Sequence, residues 1–187
     1  MPNVIVIAGA NGAGKSTLAP YLLRDTFGIV EYVNADTIAA GLSAFAPENA
    51  AFEAGRIMLK RLDELAAARK DFAFETTLAS RSYTKRLADL QCSGYHFHLF
   101  FLWLKSSQLA VERVRARVRL GGHDIPEETI NRRYERGRLN FFNLYQPLAD
   151  SWQVYNASPP IPQKIAFGDK MSGEQIVDRV IWKEMKN

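Results

Sequence analysis

The stretch GANGAGKST, residues 9–17, decides how this chain folds. It fits G-x-x-x-x-G-K-[ST], with Gly9, Gly14, Lys15 and Ser16 at the fixed positions. The apolar run VIVIA just before it, residues 4–8, predicts a short buried strand. From Lys15 onward, Leu18 and Leu22 share one face, which predicts a helix. Strand, glycine loop and helix start together make a phosphate cradle. Glycines let the backbone curl so that successive N–H groups point inward at a β-phosphate. The helix start adds its orphan donors and the positive end of its dipole. Gly9, Ala10, Asn11, Gly12, Ala13, Gly14, Lys15, Ser16 and Thr17 are therefore the candidate nucleotide-binding residues. Lys15 would reach the β- and γ-phosphates, and Ser16 would hold Mg²⁺. The competing reading is a plain Gly-rich turn; the full motif in its required context favours the nucleotide.

Working outward, residues 29–34 (IVEYVN) predict a second strand that delivers Asp36 to the same edge as the glycine loop. Residues 37–42 suggest a short helix or turn. Pro47 suits a first helical turn, and Phe52, Met58, Leu59, Leu62 and Leu65 then repeat at helical spacing to about Lys70. Residues 72–75 (FAFE) predict a third strand. Ser80 or Ser82 would cap a helix to about Cys92, and Gly94 would end it. Residues 95–104 form the most apolar strand candidate, expected to be central. Ser106 or Ser107 would cap a helix burying Val111, Val114 and Val118, interrupted at Gly121-Gly122. Pro126 would start the next, with Ile130, Tyr134, Phe141 and Tyr145 inward. Residues 152–156 predict a fifth strand, and residues 165–167 a last short one near an edge. Ser172 and Gln175 have the spacing of a capping box for the C-terminal helix. Strands alternating with helices imply an α/β fold with a mainly parallel sheet, whose ligand sites lie outside the strand C-terminal ends.

Two carboxylates fall at that edge. A kinase needs one near the γ-phosphate to orient the attacking hydroxyl and accept its proton, and Asp36 is the candidate. The alternative is that Asp36 caps the helix beginning at Thr37. Glu75, in FAFETT (residues 72–77), would hold Mg²⁺ through water or bind the acceptor's hydroxyls, with Thr77 beside it. The arginines form two sets flanking Gly121-Gly122: Arg113, Arg115, Arg117 and Arg119, then Arg132, Arg133 and Arg136. Phosphoryl transfer spreads negative charge over the γ-phosphoryl oxygens, and guanidinium forks on a closing lid would neutralise it and exclude water. Arg117 and Arg133 are the ones expected to touch phosphate, with the glycines as hinge. The rest suit a solvated face with helix pairs such as Glu112/Arg115 and Arg132/Glu135. His96 and His98 alternate in a strand without metal-ligand spacing, so a structural role is expected.

The composition is that of an ordinary globular protein. With 187 residues it predicts one domain, carrying an Arg-rich lid around residues 113–138. The single cysteine, Cys92, excludes an internal disulfide and agrees with a reducing, cytoplasmic setting. No basic, apolar leader precedes the first strand, so no signal peptide is expected. The run at residues 99–104 is too short to span a bilayer. A net charge of +4 permits nucleic acid. No stripe of basic and aromatic residues is evident, however, and the clustered arginines are explained by a triphosphate.

Four further stretches carry a resemblance: NADTIAAGLS (34–43), FETTLAS (74–80), RVRLGGHDIPEETINRRY (117–134) and LYQPLADSWQVYNAS (144–158). With GANGAGKST, and in this order, they resemble the zeta-toxin-like P-loop kinases. The resemblance implies a nucleoside-kinase-like sheet of strand order 2-3-1-4-5, and ATP with Mg²⁺. It places Asp36 as catalytic base, Glu75 as an acceptor-binding acid, and Arg117 or Arg119 with Arg133 or Arg136 on the transferring phosphoryl. It also implies a sugar hydroxyl as acceptor, as in UDP-N-acetylglucosamine; an antitoxin-like protein partner is expected with the nucleotide-gated reading below. The Gly-Gly-His segment departs from the family's lid. The function expected is that of an ATP-dependent small-molecule kinase. The rival readings are a nucleic-acid kinase and a nucleotide-gated binding module with little turnover.

Overall fold

The computed structural model describes residues 1–26, 28–44 and 47–187. Its centre is a seven-stranded sheet of order β2-β3-β1-β4-β5-β6-β7. The strands are β1 (Asn3–Gly9), β2 (Tyr32–Val33), β3 (Phe72–Thr76), β4 (His96–Trp103), β5 (Ser151–Asn156), β6 (Gln163–Asp169) and β7 (Gly173–Ile176). The helices are α1 (Lys15–Pro20), α2 (Ala35–Leu42), α3 (Ala51–Ala67), α4 (Ser82–Cys92), α5 (Ser107–Arg119), α6 (Glu127–Asn140), α7 (Gln146–Leu148) and α8 (Arg179–Lys186). π-Helical turns extend α1 over Tyr21–Thr26 and α6 over Phe141–Tyr145.

β1 runs parallel between β3 and β4, and Val4 to Ala8 are fully buried. An unbroken apolar strand is what a parallel sheet covered on both faces requires. β4, the most apolar strand, occupies the middle of the sheet, as expected. The first five strands take the order 2-3-1-4-5, so the parallel half matches the expected architecture. Crossovers bring the C-terminal ends of β1, β2 and β3 to one edge, with Ala8 level with Thr76 and Val33 level with Phe74.

The structure corrects several expectations. β2 is two residues long rather than six: Ile29 N–H bonds to Leu23 O, closing the preceding helical segment and leaving the ladder. Phe52 is 83% exposed; α3 buries the line Ala54, Met58, Leu62 and Leu65 instead. The supposed capping box is a hairpin. The Asp169 carboxylate accepts from Met171 N–H (2.8 Å) and Ser172 N–H (2.6 Å), and β7 pairs antiparallel with β6. The terminal helix starts at Arg179, with Asp178 accepting from Val180 and Ile181 N–H. β6 is therefore seven residues long and not the last strand; it lies near the edge, as expected, with β7 outside it. His98 is structural: its ring lies between Ser151 Oγ (2.7 Å) and Asn3 Oδ1 (3.1 Å).

Candidate active site

The loop between β1 and α1 is shaped by its glycines. Gly12 and Gly14 have φ of 78° and 86°, the left-handed region where a side chain strains the backbone. A Cβ at Gly9 would meet Leu102 O at 2.4 Å, so the loop also needs glycine for its close approach to β4. Lys15 Nζ lies over this loop and donates to Gly9 O and Ala10 O, both at 3.0 Å. Desolvation of the ammonium lowers its pKa, and Arg117 and Arg133 push the same way; Glu75 and Asp36 oppose them. An anion entering the loop would supply counter-charge that the carbonyls do not. Arg113 braces the loop from behind, donating to Gly12 O (3.4 Å), Ala157 O (2.8 Å) and Ser158 O (2.7 Å).

A polar cluster closes the side toward β2 and β3. Glu75 Oε2 accepts from Ser16 Oγ at 3.2 Å, and Glu75 Oε1 accepts from the Tyr32 phenol. Asn34 Nδ2 donates to Ser16 Oγ at 3.4 Å. The Asn34 carbonyl oxygen caps α2, accepting from Asp36 N–H (2.8 Å) and Thr37 N–H (3.2 Å). The cap of α2 is thus Asn34, and the Asp36 side chain is left exposed at the cavity.

Gly121 and Gly122 end α5 with two bonds, Gly122 N–H to Arg117 O (3.0 Å) and Gly121 N–H to Val118 O (2.9 Å). This is the glycine-terminated helix end of the Schellman type, with Gly121 at φ 83°. A Cβ on Gly122 would fall 2.5 Å from Arg117 Cγ, so the second glycine makes room for that arginine's stem. Arg117 in turn donates to His123 O at 2.8 Å. α6 is fastened to the loop after β3. Asn140 Nδ2 donates to Leu78 O (2.7 Å) and Ala79 O (3.3 Å), the Tyr145 hydroxyl donates to Ser80 O, and any Cβ at Gly137 would overlap Thr77 O. The helix carrying Arg132, Arg133 and Arg136 is therefore fastened to the loop after β3.

Between these walls lies a cavity of about 490 Å³. Its lining includes Lys15, Asp36, Glu75, Thr77, Arg133 and Arg136. Burial lowers the pKa of Arg133; Asp36 opposes the shift and Arg132 adds to it. The residues fit a nucleotide with Mg²⁺. The loop offers curled N–H groups and one ammonium for phosphate. Ser16 and Glu75 offer a hydroxyl and a carboxylate within one hydrogen bond of each other. No group of three or more His, Cys, Asp or Glu residues able to hold a metal occurs among the described residues. Mg²⁺ bound through one or two side chains and phosphate oxygens needs no such cage.

The zeta toxin family model matches residues 1–158. The chain belongs to the zeta toxin family. A protein of Haemophilus influenzae is 31% identical over 130 residues, covering 70% of this chain and 91% of that one. Among solved structures, the AvrRxo1-ORF1:AvrRxo1-ORF2 complex with sulphate ions superposes with a TM-score of 0.81 at 13% identity. The match covers all of this chain, which spans 64% of that one. The pair has also been solved with ATP, where the TM-score is 0.78. The PezAT chromosomal toxin-antitoxin system of Streptococcus pneumoniae gives 0.62 at 16% identity, covering 83% of this chain and 68% of that one. These likenesses agree with a P-loop kinase fold, and the family with a phosphotransferase of that type.

This zeta toxin family member brings most of the site residues expected from sequence to one cavity, but not all. Arg117 does not line it; it is folded over the end of α5, near enough to act on Lys15 through its charge. Arg119 lines a different groove with Val111, Asp124 and Ile130, away from the phosphate loop. Arg115 pairs with Glu127 across the turn at 2.6 Å rather than with Glu112, and Glu135 pairs with Arg138 rather than Arg132. Sequence reasoning gave no role to Tyr32 or Asn34, both hydrogen-bonded into the Ser16–Glu75 cluster. Asn34, two residues before Asp36 and at a helix start, carried a capping signal that could have been read. Tyr32 carried none, because its link to Glu75 depends on strand pairing. Among the described residues no helix is long and apolar enough to cross a membrane.

Proposed function

We propose that this protein is an ATP-dependent phosphotransferase acting on a hydroxyl of a small molecule. A nucleotide sugar such as UDP-N-acetylglucosamine is the first acceptor to try. The observation that carries the reading is that Asp36 shares a cavity with Lys15, Arg133 and Arg136. A protein that only holds nucleotide needs no free carboxylate facing its phosphate-binding cations. In the reaction, Lys15 leaves Gly9 O and Ala10 O for the phosphates, and Ser16 and Glu75 would hold Mg²⁺, which would neutralise phosphate charge. Asp36 orients the acceptor hydroxyl and takes its proton as the oxygen bonds to the γ-phosphorus and the β–γ bridging oxygen departs. Arg133 and Arg136 meet the charge on the transferring group, and Arg117 adds to the field at Lys15. Segment 113–138 is the Arg-rich lid of a single domain, and Thr77 joins the acceptor wall. A protein partner of antitoxin type is proposed on family membership, as is a cytoplasmic setting.

Asp36→Asn is the test. It keeps size and polarity and removes the proton-accepting charge. Because Asn34 caps α2, the melting temperature should hold. ATP·Mg²⁺ binding should stay near normal, while transfer from γ-labelled ATP to a panel of nucleotide sugars falls ~10²-fold or more. Unchanged turnover would end the general-base assignment.

A further inference from the structure

Successive carbonyls of the loop after β3 accept hydrogen bonds from one end of α6. We propose that Asn140 is a positioning residue that holds the acceptor wall in register with the arginines of α6, so that the phosphoryl goes to the acceptor rather than to water. The inference rests on the phosphotransferase reading.

The backbone of this loop is held from both sides. Leu78 N–H bonds to Thr76 Oγ1 at 3.1 Å, and Ala79 N–H to Thr77 Oγ1 at 3.4 Å. Leu78 itself takes φ of 57°, the left-handed region that leucine rarely adopts, with its side chain fully buried. A residue stays there only where its surroundings over-determine it. Here α6 does so. Asn140, itself buried, donates from Nδ2 to Leu78 O (2.7 Å) and Ala79 O (3.3 Å), and the Tyr145 hydroxyl donates to Ser80 O. In an α-helix, side chains five residues apart point roughly 140° away from each other. The π-helical turn Phe141–Tyr145, with its longer bonding interval, instead lets Asn140 and Tyr145 reach the same loop.

Arg133, Arg136, Gly137 and Asn140 recur at helical spacing, so they share one face of α6. On that face Gly137 lets the helix backbone approach Thr77 O, where a Cβ would overlap. Arg133 and Arg136 line the cavity together with Thr77, Ala79 and Ser80. One helix face thus carries the cations that would meet the transferring group and fixes the wall against which the acceptor would rest. Water needs no such wall to reach the γ-phosphoryl. An acceptor hydroxyl must be held about 3–3.5 Å from the phosphorus and in line, and a misplacement of about 1 Å can cost ~10²-fold. Loosening the wall therefore slows transfer to the acceptor and admits water in its place. Asn140 is not part of the cavity lining; it acts through the loop.

The test reads where the phosphoryl goes. Protein is incubated with γ-labelled ATP, Mg²⁺ and a deproteinised bacterial metabolite extract, and label in phosphoester is divided by label in inorganic phosphate. Asn140→Ala should lower that ratio at least about tenfold. Affinity for a non-hydrolysable ATP analogue, the β,γ-imido compound, should change less than about twofold, since Asn140 does not meet the phosphate loop. Tyr145→Phe removes one hydroxyl bond from the same loop and leaves the ring in its packing; it should lower the ratio about threefold, the scale of one hydrogen bond. A role in stability alone would shrink the folded fraction, so both products would fall together and the ratio would hold. An unchanged ratio in Asn140→Ala, or in Tyr145→Phe should the first variant not fold, would overturn the inference. Wild-type protein that makes no phosphoester at all would instead sink the phosphotransferase reading, so the two failures are distinguishable.

Discussion

Lys15→Ala is expected to abolish phosphoryl transfer while leaving the fold intact. Lys15 is the cation of the phosphate loop, and among the described residues its ammonium donates to the loop's own Gly9 and Ala10 carbonyls. Those bonds are dispensable, because the loop's shape comes from Gly9, Gly12 and Gly14 and from the Arg113 brace behind it. Removing a half-buried charge held at a desolvation cost should leave the melting temperature unchanged or slightly higher. ATP affinity should fall. The transfer rate should fall further, by at least ~10³-fold, since charge on the bridging oxygen grows as the bond breaks. Circular dichroism with a turnover assay on the same preparation checks this. Wild-type activity would sink the nucleotide-enzyme reading altogether.

Arg133→Ala carries the next largest effect. Of Arg117 and Arg133, only Arg133 lines the cavity, and it reaches Asn11 Oδ1 of the loop at 3.4 Å. A guanidinium that meets charge developing on the γ-phosphoryl is worth ~10³-fold or more in kcat. It contributes little to ground-state nucleotide binding, so the ATP dissociation constant should shift by much less. Arg117→Ala should cost clearly less in kcat than Arg133→Ala, because Arg117 is spent on the His123 carbonyl and acts only through its field at Lys15. Steady-state rates and nucleotide titrations on both variants decide it. Equal and minor losses, below about tenfold, would make these arginines surface charge.

The parallel half of the fold was legible because its signals are local. Residues 4–8 have no polar face, and the loop motif leaves one arrangement for strand, turn and helix. Asp36 and Glu75 were found because each sits just past a strand, so the chain's own direction carries it to the phosphate edge. The antiparallel hairpin was missed because Ser172 and Gln175 mimic a helix cap, whereas the turn depends on the Asp169 carboxylate reaching forward. The arginines were only partly legible for a different reason. A run such as RVRARVR (residues 113–119) fixes which side chains share a flank of α5. Which flank meets the loop is set by the docking of α5 beside β4 and the α5–α6 turn. Arg113 thus became a backbone brace, Arg115 an ion-pair partner of Glu127, and Arg119 a residue of another groove. The anchoring of α6 by Gly137, Asn140 and Tyr145 was invisible, since each bond joins residues roughly sixty apart in sequence.

The central claim is that the γ-phosphoryl ends on a carbon-borne hydroxyl. The most direct measurement incubates the protein with γ-labelled ATP, Mg²⁺ and a bacterial metabolite extract, and resolves the labelled products by mass spectrometry. A labelled phosphoester of one small-molecule class is expected, absent with Lys15→Ala and strongly reduced with Asp36→Asn. Label found only in inorganic phosphate, or remaining entirely in ATP, would contradict it.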